Sequence, residues 1–251
     1  ALLGVLYPQY GSPIPAMAIA HMRLPRGAKL TSGKLIPKNT PLFAEAASGP
    51  VCRFRTSYPV MLWPLEMTRA ETVAPESLDL DRRTTAMAAI RIHLQTSEET
   101  LRALREEADD PALARPLRSL RFHIAGSGQP TQDLYDLLFG QTEMVLMTSD
   151  DPERKTIQCQ IHPVGFKRDE DTLSYPVHAH AGYRIMQEYL VFPEKFHFFD
   201  IEFEDLPNSK ECDILIFLKQ RPPPGVAVKE TTFKLGCTPI INLFPKISEP
   251  I

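Results

Sequence analysis

Proline is the residue that most restricts what this 251-residue chain can fold into, because the chain contains 24 prolines against 12 glycines. A proline fixes its own φ and has no backbone N–H, so helices and central strands must lie between prolines. Ten of these prolines fall within the first 75 residues, which leaves room there for short strands and turns only. We therefore expect a β-rich α+β fold, built from small β modules with a few short helices.

The bulk composition is that of an ordinary globular protein, with 43% hydrophobic and 24% charged residues. A formal net charge of −3 gives no general attraction to nucleic acid or to anionic lipid. No segment approaches the roughly 18 to 20 continuous apolar residues of a membrane-spanning helix. We expect a soluble protein without a nucleic-acid partner and without direct insertion into a membrane.

The cysteines are scattered and contain no Cys-x-x-Cys pair. This spacing is typical of reduced, mostly buried thiols in a cytosolic protein, rather than of a zinc site or a disulfide framework. The four residues are Cys52, Cys159, Cys212 and Cys237.

Composition along the chain predicts three modules. Residues 1–75 form a Pro-rich β module, residues 76–165 an α+β module, and residues 166–251 a module of one helix and several strands that ends in a linker. An alternative is that the first 75 residues pair with strands of the last third. The chain begins without an initiator methionine and ends in a Pro-containing stretch, so we expect a fragment of a longer protein.

Period-two alternation predicts most of the strands. Examples are Ile90, Ile92 and Leu94, which alternate with polar residues, and the similar segments 52–56, 119–126 and 198–205. Further strands are expected at 17–24, 143–149, 155–165 and 212–220, and residues 34–46 are expected to form a strand, a Pro-led turn and a second strand. Helical spacing and capping residues predict helices that start near Ser97 and near Thr131, the second of them closed by Gly140.

The stretch EYLVFPEKFHFFD, residues 188–200, concentrates one Tyr and four Phe in thirteen residues. From Gly182 onward, apolar residues recur every three or four positions, which predicts one face of a helix that Pro193 must end. We interpret Tyr189, Phe192 and Phe196 mainly as residues that lock this helix onto the next strand, with a minority facing a partner protein. We expect Glu194 and Lys195 to be exposed beside them.

Motifs that carry chemistry are scarce. His178 and His180 form a His-x-His pair downstream of His162, and these three residues are the basis of one alternative, a metal-dependent hydrolase. The chain contains no Gly-x-Ser-x-Gly, Walker or Gly-x-Gly-x-x-Gly motif. We predict no catalytic residues, no metal and no cofactor. A carbohydrate-binding β module is a further alternative, and it would require an exposed aromatic platform.

Six stretches, in order along nearly the whole chain, resemble the TssF family (also called VasA or ImpG) of baseplate subunits of the bacterial type VI secretion system. They are LYPQYGSPIPAMAIAHM, LIPKNTPLF, CRFRTSYPVMLWPLE, LRFHIAG with LYDLLFG, GYRIMQEYLVFPEKFHFFD and LGCTPIINLFP. LIPKNTPLF also looks like the Ile-Pro-x-Gly-Thr signature of phage baseplate J-like proteins, with Asn39 where glycine is usual. Asparagine tolerates positive φ, so we expect the turn to survive this change.

The resemblance implies that this chain is the central portion of a non-enzymatic subunit with a phage baseplate-like fold. It implies a wedge in which the protein meets TssG, TssK, TssE and a second TssF copy, around the hub of the VgrG spike. It also implies assembly in the cytoplasm, docking at the inner face of the inner membrane through the membrane complex, and initiation of the contractile sheath. Another phage tail-like baseplate protein, outside this family, is the alternative.

Rigid aromatic and proline residues that are left over after the cores are filled are the best candidates for contacts with partners. Trp63, the single tryptophan, is interpreted like the aromatic residues around Pro193, as mainly a packing residue that can also face a partner protein. The candidate interface or motif residues are Tyr7, Pro8, Tyr10, Pro15, Trp63, Tyr189, Phe192, Pro193, Lys195, Phe196, Asn242 and Phe244.

Overall fold

The computed structural model describes residues 12–25, 33–45, 51–78, 84–96, 101, 104, 117–151, 156–176 and 179–244. Strands dominate these residues. They are β1 (Met17–His21), β2 (Lys34–Ile36), β3 (Pro41–Ala44), β4 (Cys52–Thr56), β5 (Val60–Leu62), β6 (Leu65–Val73), β7 (Ala88–Thr96), β8 (Ser119–Ile124), β9 (Thr142–Thr148), β10 (Thr156–Pro163), β11 (Phe198–Phe203), β12 (Glu211–Leu218), β13 (Phe233–Lys234) and β14 (Cys237–Ile241).

Two α-helices lie among the described residues, α1 (Gln129–Gly140) and α2 (Ala181–Val191), together with 3₁₀ turns at Pro75–Ser77 and Pro193–Phe196. The expected β-rich α+β fold is therefore confirmed. Helix α1 begins before the predicted cap, with Gly128 at the N-cap position and Thr131 buried inside the helix. The predicted helix near Ser97 falls outside the described residues, except for Leu101 and Leu104, which are both buried.

The largest sheet has eight strands in the order β13-β8-β11-β10-β9-β12-β7-β6. All of its neighbouring strands are antiparallel. Ile90, Ile92 and Leu94 of β7 point into the core on one face, where α1 contributes Leu134 and Leu138. The alternation seen in the sequence thus identifies the core face of this sheet correctly, because side chains alternate between the two faces of a strand.

The opposite face of the same sheet carries polar pairs, one of them an ion pair, between directly opposed strand neighbours. Arg121 of β8 and Asp200 of β11 form a two-pronged pair with both N···O distances at 2.7 Å. On β7 and β12, His93 Nδ1 lies 2.7 Å from Asp213 Oδ1. Cross-strand pairs of opposite charge fix the register of neighbouring strands, because a slip of one residue would separate them.

A second sheet has four strands in the order β1-β14-β4-β3, and β2 and β5 form a third, two-stranded sheet. Strand β14, from the last third of the chain, lies between β1 and β4 from the first third. The alternative pairing of the first 75 residues with the last third is thus present. Strands from different predicted modules therefore pair within one sheet, so the module boundaries do not coincide with sheet boundaries. The division into three modules stays a prediction about folding units.

The four-stranded and eight-stranded sheets meet at a small apolar cluster that contains Tyr58, Val164, Phe198 and Cys237. The Tyr58 ring meets the Phe198 ring edge-on at 5.7 Å between centroids. Cys159, Cys212 and Cys237 are free thiols and buried, as expected, whereas Cys52 is exposed. No helix in the described part of the chain is long and apolar enough to cross a membrane.

Candidate docking surface

Helix α2 has the reverse burial pattern of an ordinary surface helix. Its two charged residues, Arg184 and Glu188, are buried, whereas apolar residues on the other side are exposed. We call the exposed set Tyr183, Met186, Tyr189 and Leu190 the α2 outer face; Leu190 keeps 75% of its surface in solvent. A helix normally buries its apolar stripe and exposes its charges, so this reversal leaves an exposed apolar surface of a kind that is common at protein–protein contacts.

A buried charge network holds α2 in this orientation. The Glu188 carboxylate accepts hydrogen bonds from the backbone N–H groups of Thr172 and Leu173, at 2.8 and 2.9 Å. It also accepts a hydrogen bond from Lys195 Nζ, and neither side chain keeps more than 1% of its surface in solvent. A buried carboxylate that satisfies two amides and an ammonium cannot rotate outward without stranding all three partners.

Arg184 ties the same helix to the preceding loop. Its two terminal nitrogens donate to the backbone carbonyls of Lys167 and Arg168, at 2.8 and 2.9 Å. Its Nε lies 3.7 Å from Glu188 Oε2, one helical turn away. Arg184 and Lys195 therefore both place a positive charge beside the Glu188 carboxylate.

Burial lowers the pKa of Lys195, and the attraction of the Glu188 carboxylate opposes this effect. Lys195 was expected to be exposed, and that expectation is wrong, since its side chain is completely buried. The reason is that the 3₁₀ turn after Pro193 folds the lysine back beneath α2, where Glu188 compensates its charge.

The loop between β10 and α2 is held by a second buried carboxylate. Glu170 accepts hydrogen bonds from the backbone N–H groups of Gly165 and Lys167, at 2.7 and 3.0 Å. Gly165 has φ of +111°, and a Cβ at this position would lie 3.0 Å from the Phe196 ring. Only glycine meets both requirements, so the loop passes close to Phe196 and presents the neighbouring Phe166 at the surface.

A row of aromatic rings extends the α2 outer face onto this loop. The Phe196 ring is buried and lies between two half-exposed rings, Phe166 at 5.1 Å and Tyr189 at 5.9 Å between centroids. Ring contacts through the buried Phe196 therefore connect Phe166 to Tyr189 of the α2 outer face. The sequence pattern does not single out Phe166, because it stands between Gly165 and Lys167 outside any helical or strand periodicity and joins the row only through the fold.

The other candidates near Pro193 divide between core and surface. Phe192 and Phe196 are buried, whereas Tyr189 is half exposed. Pro193 is partly buried and ends α2 as expected, since the helix stops at Val191. Helical spacing identified the apolar stripe, and the burial of the two phenylalanines is consistent with packing, but their role in locking the helix onto the next strand stays a prediction.

The remaining candidates lie elsewhere. Trp63 is partly buried against the main core, and its ring fills the space beside Gly33. Pro15 is also partly buried, whereas Tyr7, Pro8 and Tyr10 lie outside the described residues. Asn242 donates from Nδ2 to the carbonyl of Arg53 at 2.7 Å, and the Arg53 guanidinium lies over the half-exposed Phe244 ring at 5.5 Å.

The histidines of the hydrolase alternative have structural contacts where they are described. His180 Nδ1 accepts a hydrogen bond from the Gly182 N–H and caps α2, and His162 Nε2 lies 3.6 Å from Glu202 on the neighbouring strand. His178 lies outside the described residues. Within the described ranges, no group of three His, Cys, Asp or Glu residues is placed to hold a metal ion.

One cavity, of about 240 Å³, lies between the first turn of α1 and the 225–232 loop. Ile124, Leu134, Val226 and Lys229 contribute to its wall. Its lining contains one ionisable side chain, Lys229, and identifies no reaction.

Comparisons with known proteins agree with the resemblance seen in the sequence. The family model described as "Type VI secretion system, TssF" matches residues 1–251. The type VI secretion system component TssF1 of Pseudomonas aeruginosa is 28% identical over 263 residues, which cover 98% of this chain and 40% of that protein. A chain in the cryo-electron microscopy structure of the type VI secretion system TssK-TssF-TssG baseplate subcomplex superposes with a TM-score of 0.77 at 22% identity.

That superposition covers 100% of this chain and 46% of the solved chain, so the sequence spans less than half the length of these relatives. The fold is shared at this level of similarity, and the family match extends over every residue. The chain belongs to the TssF family of the type VI secretion system.

Proposed function

We propose that the full-length protein is a structural subunit of the type VI secretion baseplate. The family match over all 251 residues carries this proposal. The α2 outer face supports it, because a rigid apolar surface with few charges suits permanent contact with another protein. The match also favours this family over a phage tail-like baseplate protein from outside it.

The role that we propose is mechanical and not catalytic. A baseplate wedge has to hold its position while the sheath contracts, which requires stiff connections between its parts. The Glu188 and Glu170 networks supply this stiffness around α2, since each buried carboxylate fixes two backbone amides at once. Prolines in the connections add to it by restricting the backbone.

TssG and TssK are the first partners that we propose, because a solved chain with this fold comes from a TssK-TssF-TssG subcomplex. The family resemblance extends the proposal to TssE, to a second TssF copy in the same wedge, and to the VgrG hub nearby. We propose assembly in the cytoplasm, followed by docking at the inner face of the inner membrane through the membrane complex.

Co-expression tests the proposal directly. The full-length protein would be produced with the TssG and TssK proteins of the same organism, with an affinity tag on TssG alone, and the purified material weighed by native mass spectrometry. We expect a complex of fixed stoichiometry that contains all three proteins. Recovery of TssG and TssK without this protein, at micromolar concentrations of each, would contradict the proposal.

A further inference from the structure

The solvent-facing side of α2 contains no charged residue. The exposed residues of this eleven-residue helix are Gly182, Tyr183, Met186, Tyr189, Leu190 and Val191, and its two ionisable groups of opposite charge are both buried. The buried centres of protein interfaces are depleted of charge and enriched in tyrosine and methionine. This composition argues for a protein as the occupant of the surface.

The spacing of the exposed residues argues for a helix as the part of the partner that binds. Tyr183, Met186 and Leu190 follow one another at three and four positions and form a ridge along α2. Such ridges pack into the grooves between side chains of a second helix. An added strand would need an open sheet edge, which a helix does not offer.

The charges beside this ridge indicate which charges the partner helix carries next to its apolar stripe. Lys167 and Arg168 are exposed on the loop next to α2, and their carbonyls are held by Arg184. Asp169 follows them, so this three-residue segment carries two cations and one anion. Neither cation forms an ion pair with another residue in the described part of the chain. A partner with carboxylates at the border of its apolar stripe would complement these two cations.

A second copy of the same surface fits less well. The single carboxylate of α2 belongs to Glu188, which is buried and already satisfied by Lys195 and two amides. Two α2 outer faces packed together would therefore leave Lys167 and Arg168 without an acidic residue from the facing helix. Charge complementarity favours a different chain.

We propose that the α2 outer face binds an amphipathic helix of another baseplate subunit, whose apolar stripe is bordered by carboxylates. This inference rests on the proposed function, because the partner is taken from the same assembly. Phe166 extends the contact beyond the helix, through the ring row that it forms with Phe196 and Tyr189.

The first test compares two methionines of nearly equal exposure. Met186 is 55% exposed on the α2 outer face, and Met87 is 56% exposed beside β7. In the co-expressed complex with TssG and TssK, we expect Met186→Glu to weaken binding at least about tenfold, because a carboxylate would enter an apolar contact. We expect Met87→Glu to stay within about twofold of the unchanged protein.

Leu190→Glu serves as a second variant, because its greater exposure makes a folding defect less of a concern, and circular dichroism of each variant checks the fold. The double variant Lys167→Glu/Arg168→Glu should also weaken binding, and the effect should shrink as salt is raised. Complex formation by folded Met186→Glu and Leu190→Glu with unchanged affinity would overturn this inference and leave the proposed function intact. If the unchanged protein binds neither subunit, both fail.

The second test identifies the occupant. A photo-crosslinking phenylalanine analogue at position 189, in place of Tyr189, would be irradiated in the full complex and the linked peptide read by mass spectrometry. We expect a peptide of another subunit with apolar residues every three or four positions and Asp or Glu at its flanks. A link to a second copy of this protein, or to a peptide without that periodicity, would overturn the inference.

Discussion

Lys195 donates a hydrogen bond to Glu188 in a place where solvent reaches neither side chain. Seven residues separate the two in sequence, and Pro193 between them turns the chain back so that the ammonium meets the carboxylate. This pair decides which side of α2 faces inward. The apolar side then remains at the surface because the charged side has its partners inside.

Replacement of Lys195 by Met should cost about 3–5 kcal/mol of unfolding free energy, because it leaves the Glu188 carboxylate buried without its closest counter-charge. The double variant Lys195→Met/Glu188→Gln should recover about 1–3 kcal/mol of that loss, since the glutamine oxygen still accepts from Thr172 and Leu173 without a charge. Urea unfolding of the single and double variants measures both values. A double variant less stable than Lys195→Met alone would contradict this account.

The buried His123 should make the protein less stable in acid. Burial, with smaller electrostatic contributions from the neighbouring His197, Lys234 and His21, lowers its pKa to about 4. In the unfolded chain its pKa is about 6.5, so between these values the unfolded state binds a proton that the folded state does not. The contribution of His123 to the free energy of unfolding is therefore fully present above about pH 6.5. It is lost as the pH decreases towards 4, by about 3 kcal/mol in total.

Unfolding in urea at a series of pH values checks this prediction. In His123→Phe the slope between pH 6.5 and 4.5 should decrease, because an aromatic ring is kept where the His123 ring lies 4.5 Å from the Phe198 ring, but the titrating group is removed. A smaller slope should remain, since burial also lowers the pKa of His197. An unchanged slope in the variant would show that other groups cause the acid sensitivity.

Gly165→Ala should lower the free energy of unfolding more than Gly→Ala at a glycine of positive φ with open space around it. The alanine Cβ would lie 3.0 Å from the Phe196 ring and 3.3 Å from the Tyr58 hydroxyl, at a φ of +111°. Crowding of about 1–3 kcal/mol then adds to backbone strain of about 1–2 kcal/mol.

Gly225 supplies the matched control for this change. It has φ of +97° and no atom within 4 Å of the Cβ position, so Gly225→Ala should show the backbone strain alone. The difference between the two variants in unfolding free energy measures the close approach at Gly165. Equal losses would mean that the space beside Phe196 is not restrictive.

Asn39 occupies the turn between β2 and β3 with φ of 67°, and it is the one described residue other than glycine with positive φ. Its Oδ1 accepts a hydrogen bond from Arg55 Nη1. Both Asn39→Gly and Asn39→Ala remove this contact, but only alanine also adds the strain of a left-handed backbone, roughly 1–2 kcal/mol. Thermal unfolding should therefore rank glycine above alanine, and the reverse order would contradict the positive φ as the reason for asparagine here.

Much of the secondary structure could be predicted from the sequence, because it depends on neighbouring residues. Alternation placed the buried side of β7 and of β11 correctly, and Pro193 marked the end of α2 to within two residues. The turn at Asn39 was also anticipated from its residue type. These features need only the two-residue period of a strand, the missing N–H of proline and the tolerance of asparagine for positive φ.

The orientation of α2 could not be predicted in the same way. Helical spacing shows that an apolar stripe exists, but it does not say whether that stripe faces the core or the solvent. The choice depends on whether the polar stripe finds partners inside. Those partners come from segments before and after the helix and are Thr172, Leu173 and Lys195. No local sequence pattern predicts them.

The sequence by itself determined the family, the β-rich composition of the fold and the local course of most strands, because these follow from the order and spacing of residues. The tertiary structure alone decided that β14 lies between β1 and β4, across almost the whole length of the chain, and that Lys195 is buried. Both depend on contacts between distant residues, whose free energy exists only once the chain has folded. The exposed face of α2 is a product of that folding, since buried charges beneath the helix hold it outward.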